Sequence, residues 1–203
     1  MELYLLFLLM AAATVLSPGP GVVMTISNSL RYGMRGTLGG VLGIAFGALV
    51  VAAISATSLG VLLATSAQAF TLLKFIGAAY LIYLGVRLWR APPFSFSEQA
   101  GRSSSFGKRF VEGLSLQLTN PKAIFFFLSV FPQFIDSGMN YSVQFGTLVL
   151  TYSALVVCIH CIYAFFAKRA KSWLTSERGG RVVNRTAGST FIFFGAMLAT
   201  AKR

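Results

Sequence analysis

Two short motifs place a proline and small polar residues inside long apolar runs. They are LSPGPG at residues 16–21 and LTNPKA at residues 118–123. Ser17, and Thr119 or Asn120, can cap a helix whose first residue is the proline that follows. The N–H groups at such a helix start carry a partial positive charge and bind carboxylates well. The spacing therefore predicts two anion-binding helix breaks within the apolar runs.

The first motif adds two glycines to its prolines. Glycine removes side-chain bulk and permits unusual backbone angles, so a ligand can approach the main chain there. The carbonyl groups of residues 13–16, which end the helix before the break, could accept hydrogen bonds from an ammonium group. We therefore assign substrate binding to Ser17, Pro18, Gly19, Pro20 and Gly21.

Two lysines also lie within apolar runs. A charge as deep as Lys122, about four turns from either end of its run, costs at least ~2.5–3.5 kcal/mol unless it has a partner. Lys74 lies closer to the end of its run, where its side chain could equally reach the membrane surface. Because no acid lies at the centre of these runs, the site suits an anionic or zwitterionic ligand. The remaining candidate substrate-binding residues are Lys74, Gln117, Asn120, Pro121 and Lys122.

Other ionisable residues offer coupling or gating. Glu112 lies near the start of its apolar run, and we keep it as a gate or proton-carrying residue, whereas Asp136 is assigned to the membrane interface. His160 lies between Cys158 and Cys161, a pattern found in redox and metal sites. Two thiols cannot saturate a metal, and free cysteine is commonly buried. We expect the cysteines to pack in the core and keep His160 as a candidate for proton coupling.

The elements that must position these residues follow from composition. Of 203 residues, 56% are hydrophobic and 11% are charged, against about 25% charged in a soluble domain. Six apolar runs have about the length of 20 residues that crosses a bilayer as a helix, and the sixth is the shortest. The sequence predicts an all-α membrane protein with six transmembrane helices. The runs are residues 3–30, 38–64, 70–89, 110–135, 143–166 and 187–201.

The net charge of +12 is distributed unevenly along the chain. Most of the 17 lysines and arginines follow the first, third and fifth runs. Basic loops stay cytoplasmic, so both termini are predicted to face outward, into the periplasm. No nucleic-acid motif accompanies the charge, which we attribute to topology and to contact with anionic lipid headgroups. The one early charge, Glu2, is negative and argues against a cleaved signal peptide.

A segment rich in proline, serine and glycine, residues 91–107, is typical of a cytoplasmic linker. It separates residues 1–90 from residues 108–203, and each part contains three apolar runs. With three runs each, the second part inserts upside down relative to the first, as in transporters with inverted repeats. We therefore predict two inverted three-helix repeats, each with its first helix broken at a proline motif. Glycines at positions 39, 43 and 47 predict close helix packing.

Four segments resemble the LysE/RhtB family of amino-acid exporters. They are SPGPG, GGVLGIAFG, LLKFIGAAYLIYLGVRLW and LTNPKAIFFFLSVFPQF. The resemblance implies an efflux protein of the bacterial inner membrane, driven by the proton gradient, for amino acids such as homoserine, threonine, leucine or cysteine. It implies no cofactor. Redox proteins of the wider superfamily carry cysteines beside the prolines, where this chain has Ser17 and Asn120.

Three functions follow from these patterns. The leading hypothesis is a secondary exporter of small neutral amino acids or their derivatives, with the substrate held between the two breaks. The alternatives are a membrane thiol oxidoreductase that uses Cys158 and Cys161, and an exporter of metal or organic cations. The scarcity of membrane acids argues against cation export. Homo-oligomerisation is left open by the sequence.

Overall fold

The computed structural model describes residues 2–17, 19–65, 67–93, 105–136 and 138–200. Within these ranges the regular structure is helical throughout. Pro18 and most of the predicted linker, residues 94–104, lie outside the described residues, as do residues 201–203.

The first predicted span is broken where the sequence indicates. Helix α1 covers Glu2–Leu16, and helix α2 begins at Pro20 and runs to Thr65. Gly33 interrupts α2 with φ 72° and ψ 178°, a backbone region that favours glycine. The connection between the first two predicted spans is therefore a kink at a single glycine rather than a loop. The predicted turn near residues 65–68 coincides with the end of α2 and the start of α3, Ala67–Trp89.

The fourth predicted span is also broken at its proline motif. Helix α4 covers Phe106–Leu118 and α5 covers Pro121–Phe125. The chain continues as a π-helical segment, Phe126–Val130, and a 3-10 segment, Phe131–Phe134. The two sides of the break are bent by 53°. Because α4 starts at Phe106, with Ser105 as its cap, the predicted linker ends two residues earlier than expected.

Three helices complete the chain. Helix α6 covers Tyr141–Phe165, α7 covers Ala167–Thr175 and α8 covers Glu177–Thr200. The short basic helix α7 was not among the predicted elements. Helix α8 includes residues 187–200 of the sixth apolar run and starts ten residues before that run. Its first turns are polar and charged, so they did not count toward the apolar run.

Helices from the two parts of the chain pack against each other. Helix α2 packs along α4 and α6, and α3 packs along α8. The predicted close approach of the glycine-rich stretch is confirmed: a Cβ on Gly39 would lie 2.6 Å from the carbonyl oxygen of Phe106, and one on Gly43 would overlap that of Phe110. On α8, a Cβ on Gly188 would lie 2.6 Å from the carbonyl oxygen of Gly85. Backbone-to-backbone contact thus joins both pairs.

An aromatic core lies between α1, α6 and the π-helical segment. Phe7, Phe126 and Phe127 are almost fully buried, and the ring centroids of Phe127 and Tyr152 lie 4.8 Å apart. The ring of Phe7 meets that of Phe134 edge to face at 5.3 Å. These contacts fix the second broken span against the first.

Two described helices are long and apolar enough to cross a bilayer. They are α2 over Pro20–Ala56 and α6 over Tyr141–Phe165, and the bent pair Phe106–Leu118 and Pro121–Phe134 could form a third span. Leu3–Leu16 is a shorter apolar helix. The architecture is that of an all-α membrane protein, whereas the arrangement of six spans as inverted repeats stays a prediction.

Candidate functional site

The ammonium group of Lys122 joins the two helix breaks. Its Nζ donates to the carbonyl oxygen of Thr14 at 2.8 Å and to that of Ser17 at 3.0 Å. The hydroxyl oxygen of Ser17 lies 3.3 Å from the same Nζ. The side chain that the sequence marks as the deepest cation therefore lies on the end of α1, which brings the predicted binding residues of both motifs together.

Local chemistry of the second motif explains how Lys122 is presented. Asn120 caps α5, because its Oδ1 accepts a hydrogen bond from the backbone N of Lys122 at 3.1 Å, and Pro121 occupies the first helical position. The Nδ2 of Asn120 lies 3.4 Å from the Oε1 of Gln117, and both side chains are buried. The predicted cap at Asn120 is confirmed. Gln117 in turn packs against Gly47 of α2.

The first motif differs in one detail from its prediction. Helix α2 starts at Pro20, and the carbonyl oxygen of Gly19 accepts from the N–H of Val23 at 3.0 Å. The expectation that Ser17 caps a helix starting at Pro18 is therefore wrong: Gly19 precedes the helix, and Ser17 binds Lys122 instead. The motif contains two prolines, either of which can start a helix, so the sequence alone did not distinguish them.

His160 borders the same break from α6. Its Nδ1 lies 2.7 Å from the hydroxyl oxygen of Thr25, and both residues are buried. A Cβ added to Gly21 would lie 3.2 Å from the His160 Cε1, so the glycine makes room for the ring. A Cβ on Gly19 would similarly lie 3.4 Å from the Nζ of Lys122. The glycines of the first motif thus face the two ionisable side chains of the site.

Two residues of the site were missed at the level of sequence, whereas the carbonyl oxygen of Thr14 is one of the acceptors predicted at residues 13–16. The two are Thr25, which contacts His160, and Tyr163, whose hydroxyl donates to the carbonyl oxygen of Leu16 at 2.8 Å. Thr25 lies a few residues after the first motif, and its hydroxyl group in an apolar run was an available signal. Tyr163 is 147 residues from its partner, and nothing local indicates that pairing.

The end of α1 is an electrostatically suitable place for an ammonium group. Carbonyl oxygens at a helix C-terminus carry a partial negative charge, which favours a cation. The partners of Lys122 at this position are neutral oxygens of Thr14 and Ser17. The start of α2 immediately follows, with a partial positive charge of its own. A carboxylate placed between Lys122 and the start of α2 would therefore interact favourably with both.

Two predicted site residues lie elsewhere. Lys74 belongs to α3, with its Nζ 4.9 Å from the ring centroid of Phe75. Glu112 is an exposed residue of α4. None of the described contacts links its side chain to either helix break, so its role as a gate stays a prediction. Asp136, expected at the membrane interface, is exposed and accepts from the N–H of Gly138 at 2.8 Å through its carboxylate.

The two cysteines do not pack in the core. Cys158 is exposed and Cys161 is partly exposed, and both are free thiols. The expectation of core packing is wrong because α6 is apolar on every side, so its sequence does not distinguish the face toward the bundle from the outer face. His160 is the buried member of the group. No cluster of three or more potential metal ligands occurs among the residues that the structure describes.

Comparison with known proteins gives consistent matches over almost the whole chain. Residues 12–202 match the family described as LysE type translocator. A homoserine/homoserine lactone efflux protein of Salmonella typhimurium is 33% identical over 201 residues, which cover 99% of this chain and 98% of that protein. A leucine efflux protein of Salmonella choleraesuis is 30% identical over 200 residues, covering 97% of this chain and 94% of the relative.

An uncharacterized membrane protein of Vibrio cholerae is 35% identical over 201 residues, which cover 99% of this chain and 98% of the relative. No solved structure matches the chain at a significant level.

Proposed function

Because this chain belongs to the LysE type translocator family, we propose that it exports small neutral amino acids or their derivatives from the bacterial cytoplasm. Membership makes it a membrane transporter and not an enzyme. Relatives are named for efflux of homoserine, homoserine lactone and leucine. None of these molecules carries a charged side chain, and we extend the free amino acids among them, with threonine and cysteine, to this protein.

The observation that carries the proposal is the position of Lys122. Its ammonium group lies in a helix break and binds neutral oxygens. The described acidic side chains whose exposure is defined, Glu112, Asp136 and Glu177, are all exposed. A buried charge is stabilised best by an opposite charge. The carboxylate of an amino acid supplies that charge, and it reaches Lys122 together with the backbone N–H groups of Gly19, Gly21 and Val22 at the start of α2.

The substrate's own ammonium group has a place in the same site. The carbonyl oxygens of Thr14 and Ser17 now accept from Lys122. When a carboxylate draws the Lys122 side chain toward α2, these carbonyls become available to the substrate's ammonium group. Export then consists of exposing this pair of breaks alternately to the two sides of the membrane.

The packing of the helices supports two inverted repeats of three spans each. Helix α3, the third span of the first part, packs along α8, the third span of the second part. Helix α4, the first half of one broken span, packs along α2, and α1, the first half of the other, packs along α6. In both cases the first half of a broken span packs against a helix of the other part of the chain. A two-fold relation between the two parts would produce this pattern. We place residues 91–105 as the linker between them, on the cytoplasmic side with the basic loops.

Coupling to the proton gradient is assigned to His160. An imidazole ring can gain and lose a proton, and this one is hydrogen-bonded to Thr25 at the start of α2. Protonation there would add a positive charge beside the break that holds Lys122. We propose that the protein works in the inner membrane and that proton entry and substrate release occur from opposite states of the site.

The decisive test replaces Lys122 by methionine. Cells are loaded with dipeptides of alanine with homoserine, threonine, leucine or cysteine, and release of the free amino acids is followed over time. A hydrogen bond to a charged group is worth about 1.5–3 kcal/mol, so we expect Lys122→Met to slow efflux about tenfold or more. Lys108→Met is the matched control, because Lys108 is an exposed residue of α4.

Folding is checked in the same experiment. Lys122→Arg keeps the charge and the donors, so its accumulation in the membrane should equal that of the unsubstituted chain. Normal export by a well-accumulated Lys122→Met protein would remove Lys122 from the mechanism. Unchanged release of every amino acid on expression of the unsubstituted chain would remove the proposed function.

A further inference from the structure

A cavity of about 320 Å³ lies beside the first break. Leu16 of α1 and Ser17, which follows that helix, form one wall, Trp173 of α7 forms another, and α8 provides the third with Val183 and Ala187. Its volume is at the lower end of the range of about 300–1,000 Å³ typical of small-molecule sites. Ser17, which lines this cavity, has its hydroxyl oxygen 3.3 Å from the Lys122 Nζ, so a single residue joins the cavity to the cationic centre of the site.

The lining of the cavity selects against charge. Its described side chains are apolar or carry a hydroxyl, and none is ionisable. The hydroxyl groups belong to Ser17, Thr186 and Thr190, and that of Thr190 donates to the carbonyl oxygen of Thr186 at 2.9 Å. A charged side chain in this space would lose its hydration without gaining an ion pair, which is costly. An aliphatic or hydroxyl-bearing side chain would not.

Trp173 forms a partition between this cavity and a larger one. The second cavity, of about 550 Å³, is lined by Tyr163, Phe166 and Arg169 and shares the Trp173 wall. Trp173 is 53% exposed, so its indole ring is not held by the core. The position of this ring is therefore one determinant of the volume available beside Ser17.

We propose that this cavity is the subsite for the substrate's side chain and that Trp173 and Ala187 limit its length. The inference rests on the proposed export of neutral amino acids and specifies where their selectivity arises. The carboxylate binds at Lys122 and Ser17, and the side chain lies between Leu16, Trp173 and Val183. A charged side chain is excluded, and a long side chain meets Trp173 and Ala187.

The first test fills the cavity. Ala187→Leu adds an isobutyl side chain to the wall, and Ala196→Leu adds the same group to an exposed position of the same helix. Release of alanine, leucine and phenylalanine is followed after loading with their alanine dipeptides. Discrimination by a filled apolar pocket is about 10–200-fold. We expect Ala187→Leu to lower leucine efflux relative to alanine efflux about tenfold, and Ala196→Leu to leave that ratio unchanged.

The second test enlarges the cavity, and it decides the question if the variant in the first test misfolds. Trp173→Ala removes a half-exposed ring, joins the two cavities and should raise phenylalanine efflux relative to leucine efflux. If Ala187→Leu fails to accumulate, the ratio of phenylalanine to leucine efflux in Trp173→Ala decides. An unchanged ratio in Trp173→Ala, or equal ratios in well-accumulated Ala187→Leu and Ala196→Leu proteins, would overturn the assignment.

A binding measurement separates this inference from the proposed function. The chain has two tryptophans, so Trp89→Phe protein in detergent reports on Trp173 alone. Leucine should change its emission, whereas lysine and glutamate should not. A fluorescence response to leucine without efflux would reject export but keep the subsite. Efflux without a fluorescence response, and without a changed ratio of leucine, alanine or phenylalanine efflux in the variants, would keep export but reject the subsite. The absence of both efflux and response would overturn both.

Discussion

At the scale of single residues, the site is defined by two ionisable side chains around a proline motif. Lys122 binds the end of α1, and His160 contacts Thr25 within the first turns of α2. One helix ends and the next begins between them. The division of roles that we propose, substrate charge at Lys122 and proton coupling at His160, follows from this placement on either side of a single break.

The role of His160 can be tested by a substitution that keeps its hydrogen bond. In His160→Gln the amide can still bond with the hydroxyl of Thr25 but cannot gain a proton. We expect export down a substrate gradient to continue, while stimulation by an imposed proton gradient is lost. The measurement is amino-acid release from proteoliposomes with and without a pH difference. Retained stimulation would assign coupling to another residue.

The free thiols give a second prediction at this scale. Cys158 is exposed and Cys161 partly exposed on α6. Neither lies among the contacts of the breaks, so we expect the double variant Cys158→Ser, Cys161→Ser to export at the rate of the unsubstituted chain. Loss of export after this change, measured in the same dipeptide-loading assay, would revive the redox alternative.

At the scale of elements, glycine contacts set the distance between helices. Gly43 lies against the backbone of Phe110, where an added Cβ would overlap the carbonyl oxygen, whereas an added Cβ on Gly146 of α6 meets nothing within 4 Å. Gly43→Ala must push α2 and α4 apart, and overpacking of this kind costs about 1–3 kcal/mol. Gly146→Ala should instead stabilise its helix by about 0.5–1 kcal/mol.

The two variants make a matched pair in a thermal unfolding measurement. Gly43→Ala should lower the unfolding temperature in detergent, and Gly146→Ala should leave it unchanged or raise it. Equal effects of the two substitutions would mean that α2 and α4 can separate without loss, contrary to the close packing described above.

The parts of this fold that could be predicted from sequence are those fixed by local chemistry. Asn120 before Pro121 is a complete capping signal. The glycine spacing of α2 predicts close helix packing whichever helix is the partner. The bond from Lys122 to α1 and the placement of His160 depend on segments more than 100 residues apart. Helix α7 was missed because its nine residues are basic and too short for a span.

At the scale of the whole molecule, the distribution of charge predicts the orientation in the membrane. The segment that follows α6 is strongly basic: α7 alone contains Lys168, Arg169 and Lys171. Basic segments stay cytoplasmic. The connection before α6, which contains Met139, has Asp136 as its charged side chain among the described residues and should face the periplasm.

Orientation can be tested by labelling single cysteines in the variant that lacks Cys158 and Cys161. With a membrane-impermeant maleimide, Met139→Cys should react in intact spheroplasts, since Met139 is 64% exposed. Lys168→Cys should react only after the membrane is opened. The opposite pattern would invert the topology and reverse the direction of transport that we assign.

The hydrogen bonds from Lys122 to Thr14 and Ser17 also have a consequence for biogenesis. They connect residues separated by 108 and 105 positions, so α1 is synthesised long before its partner leaves the ribosome. In lipid, a backbone carbonyl without a partner costs several kcal/mol. In a nascent chain that ends before Lys122, the carbonyl groups at the end of α1 therefore lack these hydrogen bonds. The insertion machinery must keep them out of lipid until the second proline motif has been synthesised. Completion of this contact is a natural point at which membrane quality control can distinguish an assembled transporter from an abandoned fragment.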